Sequence, residues 1–366
     1  MNFMGDFISI HYNEIALKGR NRGRFEGLLI KNIAKRTGFK PEKLNGRLIL
    51  KEYNQDTINI LRLMPGIAWF GKSFTIERDL DVLINTLKNI NSIENYDIDI
   101  RRIDKSFKYT SLDVKEEILK RIKTYKKGNK IIIEIFDKFF VITKDITEGI
   151  GGLPVGSAGK VISLFSGGID SSIVPIELMK RGCTVDLLHV YASPSIESII
   201  DSKIDKIVKY LSKINPIKLY LIPFSLFSLK TMEVEKGYDL ILFKRFLLKL
   251  AENIAYKFNY KAIATGDSLS QVASQTLSNI SAINYGIDIP ILRPLITYNK
   301  QEIINKAIRY GTYELSIEKY KDCCSLVAKH PNTNSNINKL KEIEEKVKLN
   351  NIIDESIEKM KVIKYK

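Results

Sequence analysis

The sequence predicts an α/β protein with α+β parts, in which two small units precede a larger, doubly wound domain with a parallel sheet. Two observations lead to this fold class. In the first 150 residues, short strand-like segments alternate with amphipathic helices. From residue 160 onward, segments such as VISLFS and CTVDLLHVYA are continuous apolar runs with helices between them, which is typical of parallel strands covered on both faces.

The first unit is predicted over residues 1–77. Phe7–Ile10 has the composition of a short strand, a basic turn follows at Lys18–Arg24, and the apolar residues after the turn recur at helical spacing. Three further elements complete a βαββαβ-like unit: a strand at Arg47–Tyr53, a helix around Thr57–Leu63 and a strand near Ala68–Ile76.

A second α+β unit is predicted over residues 78–150 and a third domain over 151–366. The second unit contains the helical segment DLDVLINTLKNI and the strand-like pair KIIIEIFD and KFFVITKDI. The stretch GIGGLPVGSAG that follows is rich in glycine and is typical of a linker. Beyond it, apolar strands and longer helices alternate as in a doubly wound domain.

Composition limits the partners and the compartment. Lys and Arg number 58 against 42 Asp and Glu, and the formal net charge of +16 favours polyanions such as nucleic acid. The N-terminus lacks a signal-peptide pattern and no apolar run is long enough to span a membrane, so a cytoplasmic protein is expected. With three cysteines in the chain, a disulfide framework is not expected.

A phosphate-binding loop is predicted at Ser166–Ser171, SGGIDS, directly after the strand VISLF. Its paired glycines let several backbone N–H groups turn towards one anion, and the helix that follows adds a favourable dipole. The hydroxyls of Ser166 and Ser171 suit phosphate oxygens, and Asp170 suits Mg²⁺ on a pyrophosphate. The segment lacks the lysine of a GxxxxGK[ST] loop and has the SGGxDS form of enzymes that cleave ATP between the α and β phosphates.

Four stretches, in this order along the chain, resemble the tRNA 4-thiouridine synthetase (ThiI) family. They are YNEIALKGRNRGRFE, GIGGLPVGSAGKVISLFSGGIDSS, TGDSLSQVASQTLSNISAI and KQEIINKAIRYGTYELSIEKYKDCCSLVAKHPNT. The resemblance extends over nearly the whole chain. It implies an N-terminal ferredoxin-like domain (1–77), a THUMP RNA-binding domain (78–150) and a pyrophosphatase-loop ATP domain of the adenine nucleotide alpha hydrolase type (151–366).

The resemblance also implies a reaction. Proteins of this family adenylate O4 of the uridine at position eight of tRNA and then displace AMP with persulfide sulfur, which gives 4-thiouridine. The expected partners are tRNA and a cysteine desulfurase or another donor of persulfide or sulfide, and the expected assembly is a homodimer. The family is also tied to sulfur supply for the thiamine thiazole. The resemblance is to its shorter members, which lack a C-terminal rhodanese domain, so sulfur is expected to reach the cysteine segment directly.

The family's motifs, matched residue by residue, imply the contacts to ATP. Besides Ser166, Gly167, Gly168, Asp170 and Ser171 of the loop, these are Leu164, Phe165, His189, Val190, Lys244, Gly266 and Gln275. Lys244 stands where an arginine is usual, which keeps the positive charge but loses the planar fork. Ser172 and Asn299 stand where proline and aspartate are usual, and neither change removes a group that the chemistry requires.

Cys324 matches the family's persulfide cysteine and is predicted to carry sulfur. Its neighbour Cys323 is a candidate resolving thiol, whereas Cys183 is predicted to lie in the core. An iron–sulfur cluster and a zinc site are not expected, because the sequence has no C-x-x-C pair and no zinc-ligand spacing.

Two basic clusters in the small units are predicted to contact tRNA phosphates. They are Lys18, Arg20, Arg22 and Arg24, and Arg101, Arg102, Lys105 and Lys108. Two other functions stay open at this point: another pyrophosphatase-loop tRNA thiolation enzyme, and a catalytically silent THUMP-type RNA-binding protein. The intact SGGIDS loop and Cys324 argue against the silent protein.

Overall fold

The computed structural model describes residues 5–124, 128–193, 195–320, 322–327 and 332–366, without the side chains of Cys324 and Ser325. The chain divides into two compact units, Met1–Pro154 and Val155–Lys366. Each unit is built on a sheet of its own. The division falls within the glycine-rich stretch, and the assignment of three domains stays a prediction.

The first unit combines one sheet with helices. Its strands are β1 (Phe7–His11), β2 (Glu42–Leu44), β3 (Arg47–Leu50), β4 (Trp69–Glu77), β5 (Tyr96–Arg102), β6 (Asn129–Ile135) and β7 (Phe139–Glu148). Its helices are α1 (Arg22–Thr37), α2 (Gln55–Arg62), α3 (Leu80–Lys88) and α4 (Ser111–Arg121), with 3-10 turns at Glu14–Asn21 and Ile93–Asn95. The seven strands follow the order β2-β3-β1-β4-β7-β6-β5, and neighbours are antiparallel except for β5 and β6. Because β4 pairs with both β1 and β7, a single sheet joins the two predicted small units.

Helix α1 shows how the sequence pattern produces this fold. Its apolar positions Leu29 and Ile33 are buried in one core cluster with Ile8 and Ile10 of β1. The side chains three and four positions apart lie on one helical face, and this face covers the sheet. The helix ends at Gly38, where φ is 81° and a side chain would be strained.

The other face of the first sheet contains a buried ion pair. Arg47 of β3 pairs with Glu134 of β6, although β1, β4 and β7 separate the two strands in the sheet. The sheet must therefore curl so that this face is concave. The Arg47 guanidinium also lies 4.9 Å from the ring centre of Phe136. Burial raises the pKa of Glu134 in spite of the attraction to Arg47, and only 1% of Glu134 is exposed.

His11 completes this buried cluster. Its ring stacks on Trp69 with the centroids 3.5 Å apart, and its Nε2 atom lies 3.8 Å from Glu134 Oε2. Burial, followed by the charges of Arg47 and Arg101, lowers the pKa of His11 to about 2. The imidazole is therefore neutral at physiological pH, and Arg47 supplies the positive charge that faces Glu134.

The second unit alternates strands and helices. Its strands are β8 (Lys160–Leu164), β9 (Thr184–Tyr191), β10 (Ile217–Pro223), β11 (Ala262–Ala264), β12 (Ile291–Leu292) and β13 (Lys361–Tyr365). Its helices are α5 (Ile169–Lys180), α6 (Lys203–Ser212), α7 (Ser225–Lys230), α8 (Asp239–Phe258), α9 (Leu277–Asn284), α10 (Lys300–Tyr310), α11 (Tyr313–Ile317), α12 (Cys323–Val327), α13 (Ile337–Lys346) and α14 (Leu349–Glu358), with 3-10 turns at Ile196–Ile199 and Ala273–Gln275. The strand order is β12-β11-β8-β9-β10-β13, and only β13 runs antiparallel to its neighbour. The predicted fold class is confirmed.

Strand β8 is the point where the strand order reverses. The chain moves from β8 to β9 and β10 on one side, and then to β11 and β12 on the other. Parallel strands whose connections leave in opposite directions open a crevice at their carboxyl ends. Because β8 ends at Leu164, one residue before SGGIDS, the predicted phosphate loop lies at this crevice.

Helix α8 is the central helix of the second core. Its side chains Phe243, Phe246 and Ala251 are buried in one cluster with Ile162 of β8 and Ile263 of β11. The helix is 20 residues long but contains several charged residues. In the described part of the chain, no helix is both long and apolar enough to cross a membrane.

The substitution Glu134→Gln is expected to destabilise the first unit, because Arg47 then stays buried without a counter-charge. Removing one partner of a buried ion pair lowers the unfolding free energy by about 3–5 kcal/mol. Urea unfolding followed by the fluorescence of Trp69, the single tryptophan of the chain, measures this change in the first unit.

The matched control is Glu117→Gln on α4, where the carboxylate pairs with the exposed side chains of Lys120 and Arg121. Exposed pairs contribute little, so this variant keeps the parent's midpoint. If the two variants unfolded at the same urea concentration, the structural role assigned to Glu134 would be wrong.

Candidate active site

A pocket lies at the carboxyl ends of β8, β9 and β11 in the second unit, at the predicted crevice. Most of the residues predicted to bind ATP line it: Leu164, Phe165, Ser166, Asp170, Ser171, His189, Val190, Lys244, Gly266 and Gln275. Gly167 and Gly168 are in the loop but do not line the pocket. Residues from distant parts of the chain thus meet in one place, as expected for a site at a switch in strand order.

The SGGIDS loop folds tightly against the start of α5. The Ser166 and Ser171 hydroxyls lie 3.1 Å apart, and Gly168 N donates to Ser166 Oγ over 3.3 Å. Gly167 has a φ of 77°, and a Cβ atom there would lie 2.4 Å from Ile204 Cδ1. The N-terminus of α5 and two serine hydroxyls therefore point to one place, which suits an anion.

Gly266 brings the end of β11 close to this loop. A Cβ atom on Gly266 would lie 3.3 Å from Ser171 N and 3.4 Å from the carbonyl carbon of Asp170. The absence of a side chain at Gly266 is what allows two backbone segments to approach. Its predicted role next to the nucleotide agrees with this close approach.

Asp170 has two partners that sequence reasoning missed. Lys300 Nζ lies 2.6 Å from Asp170 Oδ1, and Gln271 Nε2 donates to Asp170 Oδ2 over 2.8 Å. Lys300 is the first residue of α10, and Asn299 caps that helix by accepting from Glu302 N over 3.0 Å. The replacement of the family's usual aspartate by Asn299 therefore preserves the cap that holds Lys300 in position.

Asp267 forms ion pairs with two cationic side chains in the same pocket. Lys244 Nζ lies 3.4 Å from Asp267 Oδ1, and Arg293 Nε lies 3.3 Å from Asp267 Oδ2, which also accepts from Thr265 Oγ1 over 2.7 Å. Burial raises the pKa of Asp267, but Lys244, Thr265 and Arg293 outweigh burial and lower it overall. Asp267 is thus ionised, and it holds two positive side chains at the pocket.

Asp267 and Arg293 were also absent from the sequence prediction. Asp267 directly follows Gly266, so its place after the predicted strand KAIATG was a usable signal, because polar residues that follow parallel strands meet at one edge. Arg293 follows a two-residue strand, Ile291–Leu292, that carries no recognisable pattern. Its contact with Asp267 is visible only in the folded chain.

His189 is buried between the loop and the cysteine segment. Its Nδ1 atom lies 2.7 Å from the carbonyl oxygen of Phe165, and its Nε2 atom lies 2.8 Å from Tyr320 Oη. Burial lowers the pKa of His189 to about 4, although the bond to Phe165 opposes this change. The ring is therefore neutral at physiological pH. Because a carbonyl oxygen can only accept, Nδ1 carries the proton and Nε2 accepts from the Tyr320 hydroxyl.

The cysteine segment reaches the same pocket. Asp322 and Cys323 line it, and the buried Cys323 Sγ donates to the carbonyl oxygen of Val190 over 3.2 Å. A buried thiol held in this way favours a structural role over that of a resolving thiol. Cys324 belongs to the same short helix, α12, but its side chain lies outside the described residues. Cys183 is buried, as predicted for a core residue.

The predicted RNA-binding residues lie in the first unit. Lys18, Arg22, Arg101 and Arg102 are partly buried, whereas Arg20, Arg24, Lys105 and Lys108 are exposed. Some of these cations have partners within the unit: Arg22 Nε lies 2.7 Å from Glu26 Oε1, and Arg101 Nε lies 3.0 Å from Asp99 Oδ2. The exposed members of each cluster are therefore the better candidates for phosphate contacts.

The chain matches known families and relatives along most of its length. Residues 156–349 match the family described as "Thiamine biosynthesis protein (ThiI)", and residues 7–71 match the "ThiI ferredoxin-like domain". The chain is 35% identical to the probable tRNA sulfurtransferase of Thermoanaerobacter pseudethanolicus, over 96% of this chain and 98% of that relative. It is 34% identical to the probable tRNA sulfurtransferase of Coxiella burnetii, over 99% of this chain and 100% of that relative.

Two solved structures are similar to this chain. The crystal structure of a 4-thiouridine synthetase–RNA complex with bound ATP matches with a TM-score of 0.84 and 29% identity, covering 99% of this chain and 100% of that one. A Pyrococcus horikoshii protein matches with a TM-score of 0.60 and 20% identity, covering 84% of this chain and 99% of that one. At the lower identity, the likeness concerns the fold alone.

The substitution Gly167→Ala is expected to destabilise the second unit. The left-handed conformation costs an L-residue about 1–2 kcal/mol, and the clash with Ile204 Cδ1 adds to this cost. The matched control is Gly168→Ala, since Gly168 has a φ of −75° and a new Cβ atom would meet only Ser166 Oγ at 3.5 Å. Urea unfolding followed by far-ultraviolet circular dichroism compares the unfolding midpoints of the two variants. If Gly168→Ala lowered the midpoint as much as Gly167→Ala, the loop geometry described above would be wrong.

Proposed function

Since the chain belongs to the ThiI family, we propose that it adenylates the uridine at position eight of tRNA and transfers persulfide sulfur to it, which forms 4-thiouridine. ATP-dependent tRNA thiolation is the function of the chain, and its 366 residues match tRNA sulfurtransferases over almost their whole length. The observation that carries this conclusion is the SGGIDS loop, which lies in one pocket with the cysteine segment. Neither another thiolation enzyme nor a silent RNA-binding protein is favoured.

ATP is the substrate that this pocket suits. Backbone N–H groups of the loop and the Ser166 and Ser171 hydroxyls would bind the phosphates, with Lys244 as a nearby cation. The apolar and aromatic wall near Leu164, Phe165 and Val190 would take the adenine. These assignments are part of the proposal, and they agree with the contacts to ATP that the family's motifs imply.

The pocket fits Mg²⁺ that arrives on the phosphates of ATP. The described residues contain no group of three or more His, Cys, Asp or Glu side chains that would hold a metal ion without a ligand. Mg²⁺ is commonly bound by one or two carboxylates together with substrate phosphates, and Asp170 supplies a carboxylate at the loop. Asp170 would hold the ion, which would neutralise charge on the pyrophosphate.

In the first step, uridine O4 attacks the α-phosphorus of ATP, the bond to the β-phosphate oxygen breaks, and pyrophosphate leaves. Negative charge grows on the leaving group, and the N–H groups at the start of α5 stabilise it. Lys300, which contacts Asp170, provides a further positive charge beside the pyrophosphate. The product is a uridine whose O4 is part of a good leaving group.

In the second step, the outer sulfur of a Cys324 persulfide attacks C4, and AMP leaves with the former uridine oxygen. A thiol then cleaves the sulfur–sulfur bond, which leaves the sulfur on C4 and a mixed disulfide on Cys324. Alternatively, a thiol would first displace sulfide from the persulfide, leaving the same mixed disulfide on Cys324, and the sulfide would then attack C4 and displace AMP. A second thiol would reduce the mixed disulfide, and a cysteine desulfurase or another persulfide donor would then transfer persulfide sulfur to the Cys324 thiol, whereas a sulfide donor would act on the adenylated uridine directly. The same sulfur carrier would serve thiamine thiazole synthesis.

The first unit would bind the tRNA. The division into a ferredoxin-like domain (1–77) and a THUMP domain (78–150) is part of this proposal, as are a homodimeric assembly and a location in the cytoplasm. The exposed cations Arg20, Arg24, Lys105 and Lys108 are the proposed phosphate contacts. Contacts of this kind make binding sensitive to salt and only weakly dependent on sequence.

Mass spectrometry of tRNA is the direct test of activity. Purified protein, Mg-ATP and a persulfide donor are expected to convert one uridine to 4-thiouridine, with a mass gain that equals the replacement of oxygen by sulfur and with release of one AMP for each modified tRNA. Omission of ATP is the control. tRNA that binds but stays unmodified, without AMP release, would contradict the proposed function.

Two substitutions separate the two steps. Asp170→Asn is expected to slow pyrophosphate release by about 10²–10³-fold, the usual effect of losing one charge-stabilising group, while tRNA binding stays intact. Cys324→Ser keeps adenylation and stops transfer from a persulfide donor, whereas the control Cys183→Ala keeps both. Pyrophosphate release in the first turnover measures adenylation, and full thiolation by Cys324→Ser with a persulfide donor would show that another group carries the sulfur.

A further inference from the structure

Two side chains attach the cysteine segment to the carboxyl end of β9. The Tyr320 hydroxyl donates to His189 Nε2 over 2.8 Å, and Cys323 Sγ donates to the Val190 carbonyl over 3.2 Å. The two acceptor atoms belong to consecutive residues, His189 and Val190, and both residues line the pocket. The residues just before and within α12 are thus attached to the strand that forms one wall of the pocket.

The attachment through Tyr320 continues to the phosphate loop. His189 Nδ1–H donates to the carbonyl oxygen of Phe165, the residue directly before Ser166. A line of hydrogen bonds therefore runs from the start of SGGIDS through the imidazole to Tyr320, three residues before Cys323. Tyr320 does not itself line the pocket.

The hydroxyl of Tyr320 stays a donor at all working pH values. Burial, followed by the nearby Cys323 and Asp322, raises its pKa. The neutral His189 ring offers one acceptor, Nε2, and its other nitrogen is already bound to Phe165. The pairing is therefore specific: the ring can satisfy both neighbours only in this tautomer and orientation.

We propose that Tyr320 is a positioning residue for sulfur transfer, because its bond to His189 holds the segment that carries Cys324 against the nucleotide pocket. This inference rests on the proposed function, in which Cys324 carries the sulfur. Tyr320 would have no direct part in adenylation. Its hydroxyl contacts His189 and none of the SGGIDS side chains, and the bond from His189 Nδ1 to Phe165 does not involve it.

The energetic reason lies in the unequal strength of the two attachments. An S–H group is a weak donor, so the bond from Cys323 to Val190 alone holds the segment less firmly than an O–H bond to imidazole. Loss of the Tyr320 hydroxyl also leaves His189 Nε2 buried without a partner among the described residues, and a buried acceptor that has lost its donor is unfavourable. Small displacements of a reacting group reduce rates strongly, because the attack geometry is narrow.

The first experiment compares Tyr320→Phe with the matched control Tyr313→Phe. Tyr313 lies seven positions earlier, is partly buried, and its hydroxyl makes no hydrogen bond that the described residues reveal. In Tyr320→Phe, thiolation driven by a persulfide donor is expected to fall about tenfold or more, the equivalent of about 1.4 kcal/mol or more, while pyrophosphate release in the first turnover stays within about twofold of the parent. Thiolation driven by free sulfide, which bypasses Cys324, stays at the parent's rate, and Tyr313→Phe keeps all three rates.

Two outcomes of this experiment overturn the inference. If the three rates of Tyr320→Phe fall together, the hydroxyl supports the fold or the adenylation step and has no positioning role. If none of them falls, the bond to His189 does not matter for sulfur transfer. A split between the persulfide and sulfide rates is the result that a merely structural tyrosine would not produce.

The second experiment needs no catalysis. In a Cys324→Ser background, alkylation of Cys323 by iodoacetamide is followed by peptide mass spectrometry, with and without Tyr320→Phe. The buried thiol is expected to react about tenfold faster when the hydroxyl is absent, because the segment then opens more often, and the Tyr313→Phe control reacts at the parent's rate. Equal rates for the two tyrosine variants would overturn the attachment.

The same assays distinguish a failure of the proposed function from a failure of the positioning role of Tyr320. A parent protein that forms no pyrophosphate from ATP and tRNA contradicts the proposed function, whatever the variants do. A parent that thiolates tRNA, combined with a Tyr320→Phe variant that equals it in the persulfide assay, contradicts only the positioning role.

Discussion

The left-handed turn at Gly167 is the constraint on which the geometry of the site depends. β8 ends at Leu164 and α5 begins at Ile169, so the chain must turn from strand to helix within the loop, next to Ile204. A side chain at Gly167 would occupy the space of Ile204 Cδ1, and only glycine adopts this φ at low cost. The turn directs the N–H groups of α5 towards the pocket, where a polyanion can be bound without further rearrangement.

The pocket is close to charge balance before any substrate binds. Asp267 faces Lys244 and Arg293, and Asp170 faces Lys300. The carboxylates hold the cations in place, so that little reorganisation is needed when a triphosphate arrives. The same arrangement explains why Asp267 stays ionised although it is largely shielded from water: the neighbouring charges and the Thr265 hydroxyl outweigh the cost of desolvation.

The cysteine segment is joined to this pocket by polar contacts that pass through the buried core. Among them, His189 is the central group, since it binds the backbone before the phosphate loop and the tyrosine before α12. A neutral imidazole can accept and donate at once, which neither a purely acidic nor a purely basic side chain can do at physiological pH. Such a group suits a site in which nucleotide chemistry and sulfur chemistry must occur at the same uridine.

The sequence alone indicated the main strands and helices, the fold class and the phosphate loop, because these depend on local patterns: apolar periodicity, paired glycines and a short motif after a strand. It also indicated most of the residues that line the pocket, through the family resemblance. The contacts of Asp170 with Lys300 and of His189 with Tyr320 span more than a hundred residues each. Only the tertiary structure decided these two contacts and the buried ion pair of Arg47 with Glu134. All three depend on how separate elements pack, and no local pattern in the sequence encodes that packing.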